Sequence, residues 1–185
     1  MSTALNRLLG PALLSIVSLI FVSYIPASSE SGYIHVFPIE GSYELNTDGV
    51  YHLQLRGESY FEIGTEKTAS GKPFKVIKLN LKSGEGHADH SLGFVISQKG
   101  ENTISLPGTF QVNEKIDGFL DSFEGVFGFA NIPDLGEQPF FAKRGKITIS
   151  KTGLDKLGGR IDVRLVNPEG KQLIIKGNFT AIPRI

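Results

Sequence analysis

The chain of 185 residues contains no cysteine. This absence excludes disulfide bonds, thiolate catalysis, thiolate metal ligands and lipid attachment through cysteine, although it fixes no cellular compartment. Net charge is lacking as well, since 19 lysines and arginines balance 19 aspartates and glutamates. Proteins that bind nucleic acid usually carry a basic excess, so the sequence predicts no nucleic-acid partner.

Several sequence patterns of enzymes are also missing. The chain has neither the Gly-x-Ser-x-Gly pattern of serine hydrolases nor a Ser-x-x-Lys pair. No glycine-rich phosphate-binding loop leads into a helix, which argues against nucleotide binding. The sequence therefore favours a non-catalytic protein over an enzyme.

Residues 1–29 are predicted to be an export segment. One positive charge precedes the apolar run Leu8–Ile25, and small residues follow it where a signal peptidase would cut, before Glu30. Gly10 and Pro11 shorten the apolar helix and favour a cleaved signal, with a retained N-terminal membrane anchor as the alternative. We therefore expect an exported protein, periplasmic or secreted, that contacts a membrane only if this segment is retained.

Residues 30–185 are predicted to form a single all-β domain. We count about ten to twelve short strands, no amphipathic helix and no linker that would separate two domains. The 22 glycines and 13 phenylalanines suit tight turns and an aromatic core. A single antiparallel β-sandwich and a partly closed β-barrel both fit these features, and the strand count does not choose between them.

The most regular part of this domain is residues 144–185, which read as three strands of alternating apolar and polar residues. The outward positions carry both signs of charge, as at Arg160, Asp162 and Arg164, and are expected to be solvated. The positions predicted to face inward are Ile147, Ile149, Ile161, Val163, Leu165, Leu173, Ile175 and Phe179. Further upstream, Asn46–Gly49 is predicted to be a hairpin turn, followed by a strand with Tyr51, Leu53 and Leu55 on one face.

The same block resembles the closing strands of uncharacterised bacterial envelope lipoproteins. The shared order is Gly145–Ser150, the glycine-led strand from Gly158, the turn Asn167–Lys171 and the final Gly177-Asn178-Phe179. The resemblance implies a closing three-strand meander and no known biochemical role. Those relatives carry a lipidated cysteine after the signal, whereas this chain has none, so their membrane attachment does not transfer.

Phenylalanines supply the candidate ligand site. Phe123, Phe127 and Phe129 are predicted to share one face of a strand, with Phe94 inward on another strand. These rings can fill the core, which is the favoured interpretation, or line a barrel cavity for an apolar or amphipathic ligand.

One loop offers candidate metal ligands, namely His87, Asp89 and His90. Imidazole and carboxylate groups bind zinc and related divalent metals, and His52, Glu85 or His35 would complete a site. The spacing matches no motif of fixed geometry, so a solvated hairpin loop is the favoured interpretation. No other cofactor is expected.

These observations predict an exported non-catalytic β-domain with a binding or structural role in the cell envelope. Its partner would be a small molecule or an envelope component. The alternatives are a barrel that carries an apolar or amphipathic ligand and a metal-dependent enzyme that uses the His87 loop.

Overall fold

The structure, a computed structural model, describes residues 39–98, 104–113, 123–153 and 155–184. The predicted export segment and His35 lie outside these residues. Within the described ranges, no helix is long and apolar enough to cross a membrane.

The described residues form nine strands and one 3₁₀ turn, Pro133–Leu135. The strands are β1 (Ser42–Gly49), β2 (Gln54–Lys67), β3 (Pro73–Ser83), β4 (Ser91–Ser97), β5 (Gly108–Gln111), β6 (Gly125–Asn131), β7 (Phe140–Thr152), β8 (Leu157–Val166) and β9 (Gln172–Pro183).

Eight of these strands close into an antiparallel barrel in the order β1, β2, β3, β4, β6, β7, β8, β9. The pairing of β9 with β1 and of β7 with β8 closes the ring. The all-β prediction is confirmed, and of its two architectures the barrel is the one that forms. Closure leaves no long unpaired strand edge between these eight strands.

Strand β5 lies where β6 and β7 separate. These two strands pair only through Phe129 with Phe141 and Ala130 with Phe140. Further along β7, β5 takes the place of β6 and pairs with residues 146–149. The Val112 amide then donates to the Gly145 carbonyl of β7 at 2.8 Å, while Val112 forms a parallel bridge with Val126 of β6. The barrel wall is therefore irregular between β6 and β7.

The core is built as the alternation in β7, β8 and β9 predicts. All eight residues that the sequence assigns inward in these strands are buried. Residues two apart in a strand face the same side, so this run of isoleucine, valine and leucine supplies one continuous inner layer. The predicted inward set of the C-terminal block is confirmed.

The hairpin predicted at residues 46–49 forms between β1 and β2, but the bounds predicted for its turn are wrong. Strand β1 runs through Gly49, and its last residues pair with β9 up to Leu173. The turn follows instead, closed by the Thr47 hydroxyl, which accepts from the Leu53 amide at 2.9 Å. Leu53 is consequently 43% exposed, and of its predicted inward group only Leu55 is fully buried.

Candidate functional site

Side chains fill the inside of the barrel. Tyr43, Phe94, Phe140 and Phe179 are the largest of the fully buried side chains. The Phe94 ring packs so closely on Gly128 that a Cβ there would lie 2.4 Å from its Cδ1. The interior of an eight-stranded barrel is just wide enough for side chains to fill. This packing argues against an internal ligand cavity.

The four candidate phenylalanines do not line one cavity. Strand β6 turns Val126 and Ala130 inward, so Phe127 and Phe129 face the outside of the barrel. Phe129 is 38% exposed, whereas Phe94 is buried in the barrel interior.

Phe123 also lies outside the main core. It packs edge-on against Phe74 at a ring distance of 6.3 Å, in a small second cluster of buried residues. Phe127 packs against this cluster and shares the outer face of β6 with Phe129. The predicted shared face therefore forms, but its inward placement is wrong, because Gly128 occupies the inner position beside Phe94.

The three candidate metal ligands differ in burial and in their hydrogen-bond partners. His90 is buried and both its ring nitrogens have protein partners, while His87 and Asp89 are exposed. Asp89 lies within hydrogen-bond distance of the Ser83 hydroxyl at 3.2 Å. Among the described residues, no three histidine or acidic side chains are grouped to hold a metal. The structure does not bring this predicted set together.

His90 instead joins Tyr43 in a buried hydrogen-bond pair. The Ala88 carbonyl can only accept, so His90 Nδ1 donates to it at 2.6 Å, and Nε2 lies 2.5 Å from the Tyr43 hydroxyl. That hydroxyl is also 3.2 Å from the Lys82 carbonyl. Burial raises the pKa of Tyr43 above its ordinary value. The pair ties β1 to the β3–β4 connection and is structural.

Tyr43 sets an expected alkaline limit to stability. Above about pH 10 the unfolded chain loses the tyrosine proton that the folded barrel keeps, so stability falls by up to about 1.4 kcal/mol per pH unit. Tyr43→Phe should cost about 1 kcal/mol at pH 7 and flatten this decline. Urea unfolding between pH 7 and 11 measures both effects. Tyr51 and Tyr60, whose pKa values are also raised, contribute equally in both proteins. Equal slopes in parent and variant would contradict the assignment.

The strongest candidate for a binding surface is a cleft on the outside of the barrel, where β6 and β7 separate. It encloses about 430 Å³, and its apolar lining includes Phe127, Phe141 and Val166. Phe127 and Phe141 approach each other with ring centroids 6.4 Å apart. Phe129 pairs with Phe141 across the two strands and extends the aromatic surface. We call Phe127, Phe129, Phe141 and Val166 the aromatic cleft.

Basic side chains border the aromatic cleft. Lys143 lines it directly, and a neighbouring groove of about 250 Å³ is lined by Arg144, Arg164 and Lys176, among others. Together β7 and β8 carry six basic residues and one acid, Asp162. The exposed basic side chains of these two strands, which we call the basic face, are Lys143, Arg144, Lys146, Arg160 and Arg164.

The sequence contains a signal for this outer surface. Two successive strand residues face opposite sides of a sheet, so Phe140-Phe141 necessarily places one ring outside. The sequence predicts that Arg160 and Arg164 face outward as part of a solvated, mixed-charge surface. Counting charges strand by strand, instead of over the whole chain, would have revealed the basic face.

Comparisons with known protein families, with characterised proteins and with solved structures found no match. The resemblance to envelope lipoproteins therefore depends on the C-terminal strands alone.

Proposed function

We propose that this protein is an exported, non-catalytic binding domain whose binding surface is the aromatic cleft on the outside of the barrel. The occupant is the apolar part of an amphiphilic molecule. One observation carries this proposal: the exposed Phe141 and the half-buried Phe127 line an open cleft, whereas the interior is filled. The apolar segment at residues 8–25 supports export.

The chemistry of the cleft suits an alkyl chain or an aromatic ring. Phe129 and Phe141 are 38% and 37% exposed, so each has apolar surface that a ligand can cover. Covering that surface would contribute on the order of 1 kcal/mol per ring. The irregular pairing of β6 with β7 leaves the room between the strands that a chain of methylene groups needs.

Phe141→Ser is expected to weaken binding of a nonionic alkyl glycoside, decyl maltoside below its critical micelle concentration, about fivefold. The change removes the ring that contributes to both the cleft and the Phe129 pair. Isothermal titration calorimetry of the parent and the variant measures the effect. A nonionic probe isolates the apolar contact from the charges nearby.

Ile63→Ser is the matched control, because Ile63 is an apolar side chain that is 59% exposed on β2, away from the cleft. It should bind decyl maltoside like the parent. Equal binding by Phe141→Ser and the parent, or no binding by the parent, would refute the proposed function. Circular dichroism establishes that both variants are folded.

A further inference from the structure

We propose that the amphiphile is an anionic lipid in a bilayer, and that the protein docks on the bilayer surface with the aromatic cleft and the basic face. This inference rests on the proposed function, because it names the class of molecule whose apolar part enters the cleft. The sequence alone predicted membrane contact only through a retained N-terminal segment. The structure offers a second contact surface on the folded domain.

The first argument is that the side chains of the basic face form no ion pair among the described residues, although Asp162 lies opposite Lys146 across β7 and β8. Arg144 and Arg164 are direct neighbours across β7 and β8. Like charges in such positions destabilise a sheet. The acid on these strands, Asp162, is 3.5 Å from Lys176 of β9. No carboxylate in the described part of the chain forms an ion pair with any of the five side chains of the basic face. An external anion would relieve this repulsion.

The second argument is that the charges and the rings are adjacent. Phe141 pairs with Val166, and three residues further along β7 Arg144 pairs with Arg164. Lys143, which lies between them in sequence, lines the cleft itself. An interfacial protein places aromatic rings at the boundary of the acyl chains and keeps lysine and arginine at the phosphate level. Both parts of this arrangement are present on one side of the barrel.

The third argument is that only one side of the barrel has the charge that complements an anionic membrane. Strand β2 lies four strands from β7 in either direction around the ring, and thus on the opposite side of the barrel. Strands β1, β2 and β3 on that side carry five acidic and five basic residues, so their charges balance. A negatively charged membrane attracts the basic face more strongly than this balanced side, so the neutral chain has a preferred orientation.

Vesicle flotation tests this inference on the full chain. Phosphatidylglycerol vesicles should bind the protein at least tenfold more tightly than phosphatidylcholine vesicles, and added salt should reduce the difference. The double variant Arg144→Gln/Arg164→Gln should lose at least tenfold of the affinity for phosphatidylglycerol. The N-terminal segment is the same in every variant, so it does not contribute to the difference between them.

Lys72→Gln/Lys82→Gln is the control, because it removes the same charge from exposed lysines away from the basic face. It should bind vesicles like the parent. Equal binding to both lipids, or an equal effect of the two double variants, would overturn the inference.

The two proposals fail separately in these experiments. If Phe141→Ser weakens decyl maltoside binding but the parent binds both lipids equally, the proposed function stands and the lipid inference fails. If instead the arginine variant loses vesicle binding while Phe141→Ser retains binding to vesicles and to decyl maltoside, the basic face binds lipid without the cleft. That result would refute the proposed function.

Discussion

Gly57→Ala should destabilise the barrel by about 3 kcal/mol and lower its melting temperature by roughly 10 °C. A Cβ at this position would lie 1.9 Å from the Lys82 carbonyl oxygen and 2.7 Å from the Gly84 amide nitrogen. Both are backbone atoms, so no side chain can rotate away to make room. Gly57 also pairs with Tyr43, whose hydroxyl reaches the same Lys82 carbonyl. The methyl group would therefore disturb the β2–β3 pairing and the Tyr43–His90 hydrogen bond together.

Gly64→Ala is a matched control on the same strand. A Cβ there would meet only Val76 Cγ2 at 3.7 Å, which is an ordinary van der Waals distance. Its effect on the free energy of unfolding should stay within about 0.5 kcal/mol. Chemical denaturation of both variants measures the difference. Equal stability of the two would show that β2 and β3 are not packed as described.

Phe94→Ala should cost about 3–5 kcal/mol, because it empties the centre of a filled interior. Phe94 is 1% exposed and its ring covers Gly128 of β6. Alanine would leave a cavity that the rigid wall of the barrel cannot close by collapse. The expected result is a large loss of stability with the strand content retained, measured by denaturation followed by circular dichroism.

Phe129→Ala is the matched control for this change. The two phenylalanines belong to reciprocal pairs on β4 and β6: Phe94 opposite Gly128 inside, and Phe129 opposite Gly93 outside. Removing the outer ring should cost less than about 1 kcal/mol, since it is partly exposed already. The opposite ranking, with Phe129→Ala the more damaging, would contradict the assignment of inner and outer faces.

The reciprocal pairs also explain which inward positions the sequence predicts and which it does not. Buried residues alternate with exposed or half-buried ones from Arg160 to Val166 in β8 and from Gln172 to Lys176 in β9, so the inward positions there follow from period two. Strand β6 is apolar on both faces, and its larger rings lie outside. The expectation that the largest apolar residues face inward is wrong for β6, because the Phe94 ring of β4 occupies the interior beside it.

Closure of the barrel depends on information that is not local in the sequence. Strand β1 pairs with β9, more than 120 residues away, and β4 pairs with β6 across the intervening β5. Turn residues and alternation predict strands, not their partners in a ring. The candidate site cannot be predicted from the sequence for the same reason. Phe141 and Lys143 lie in one cleft with Phe127 only because β6 pairs with β7.

The central claim is that ligands bind the outside of the barrel while its interior is filled. A titration with a nitroxide-labelled, nonionic alkyl glycoside, followed by nuclear magnetic resonance, tests this claim most directly. The label broadens signals of nearby nuclei, so the amides of Phe129, Phe141 and Lys143 should weaken first. The methyl groups of Leu45 and Ile161, both fully buried, should lose less intensity than those amides. Stronger broadening of these inner methyl groups than of Phe141 would place the ligand inside the barrel and contradict the account.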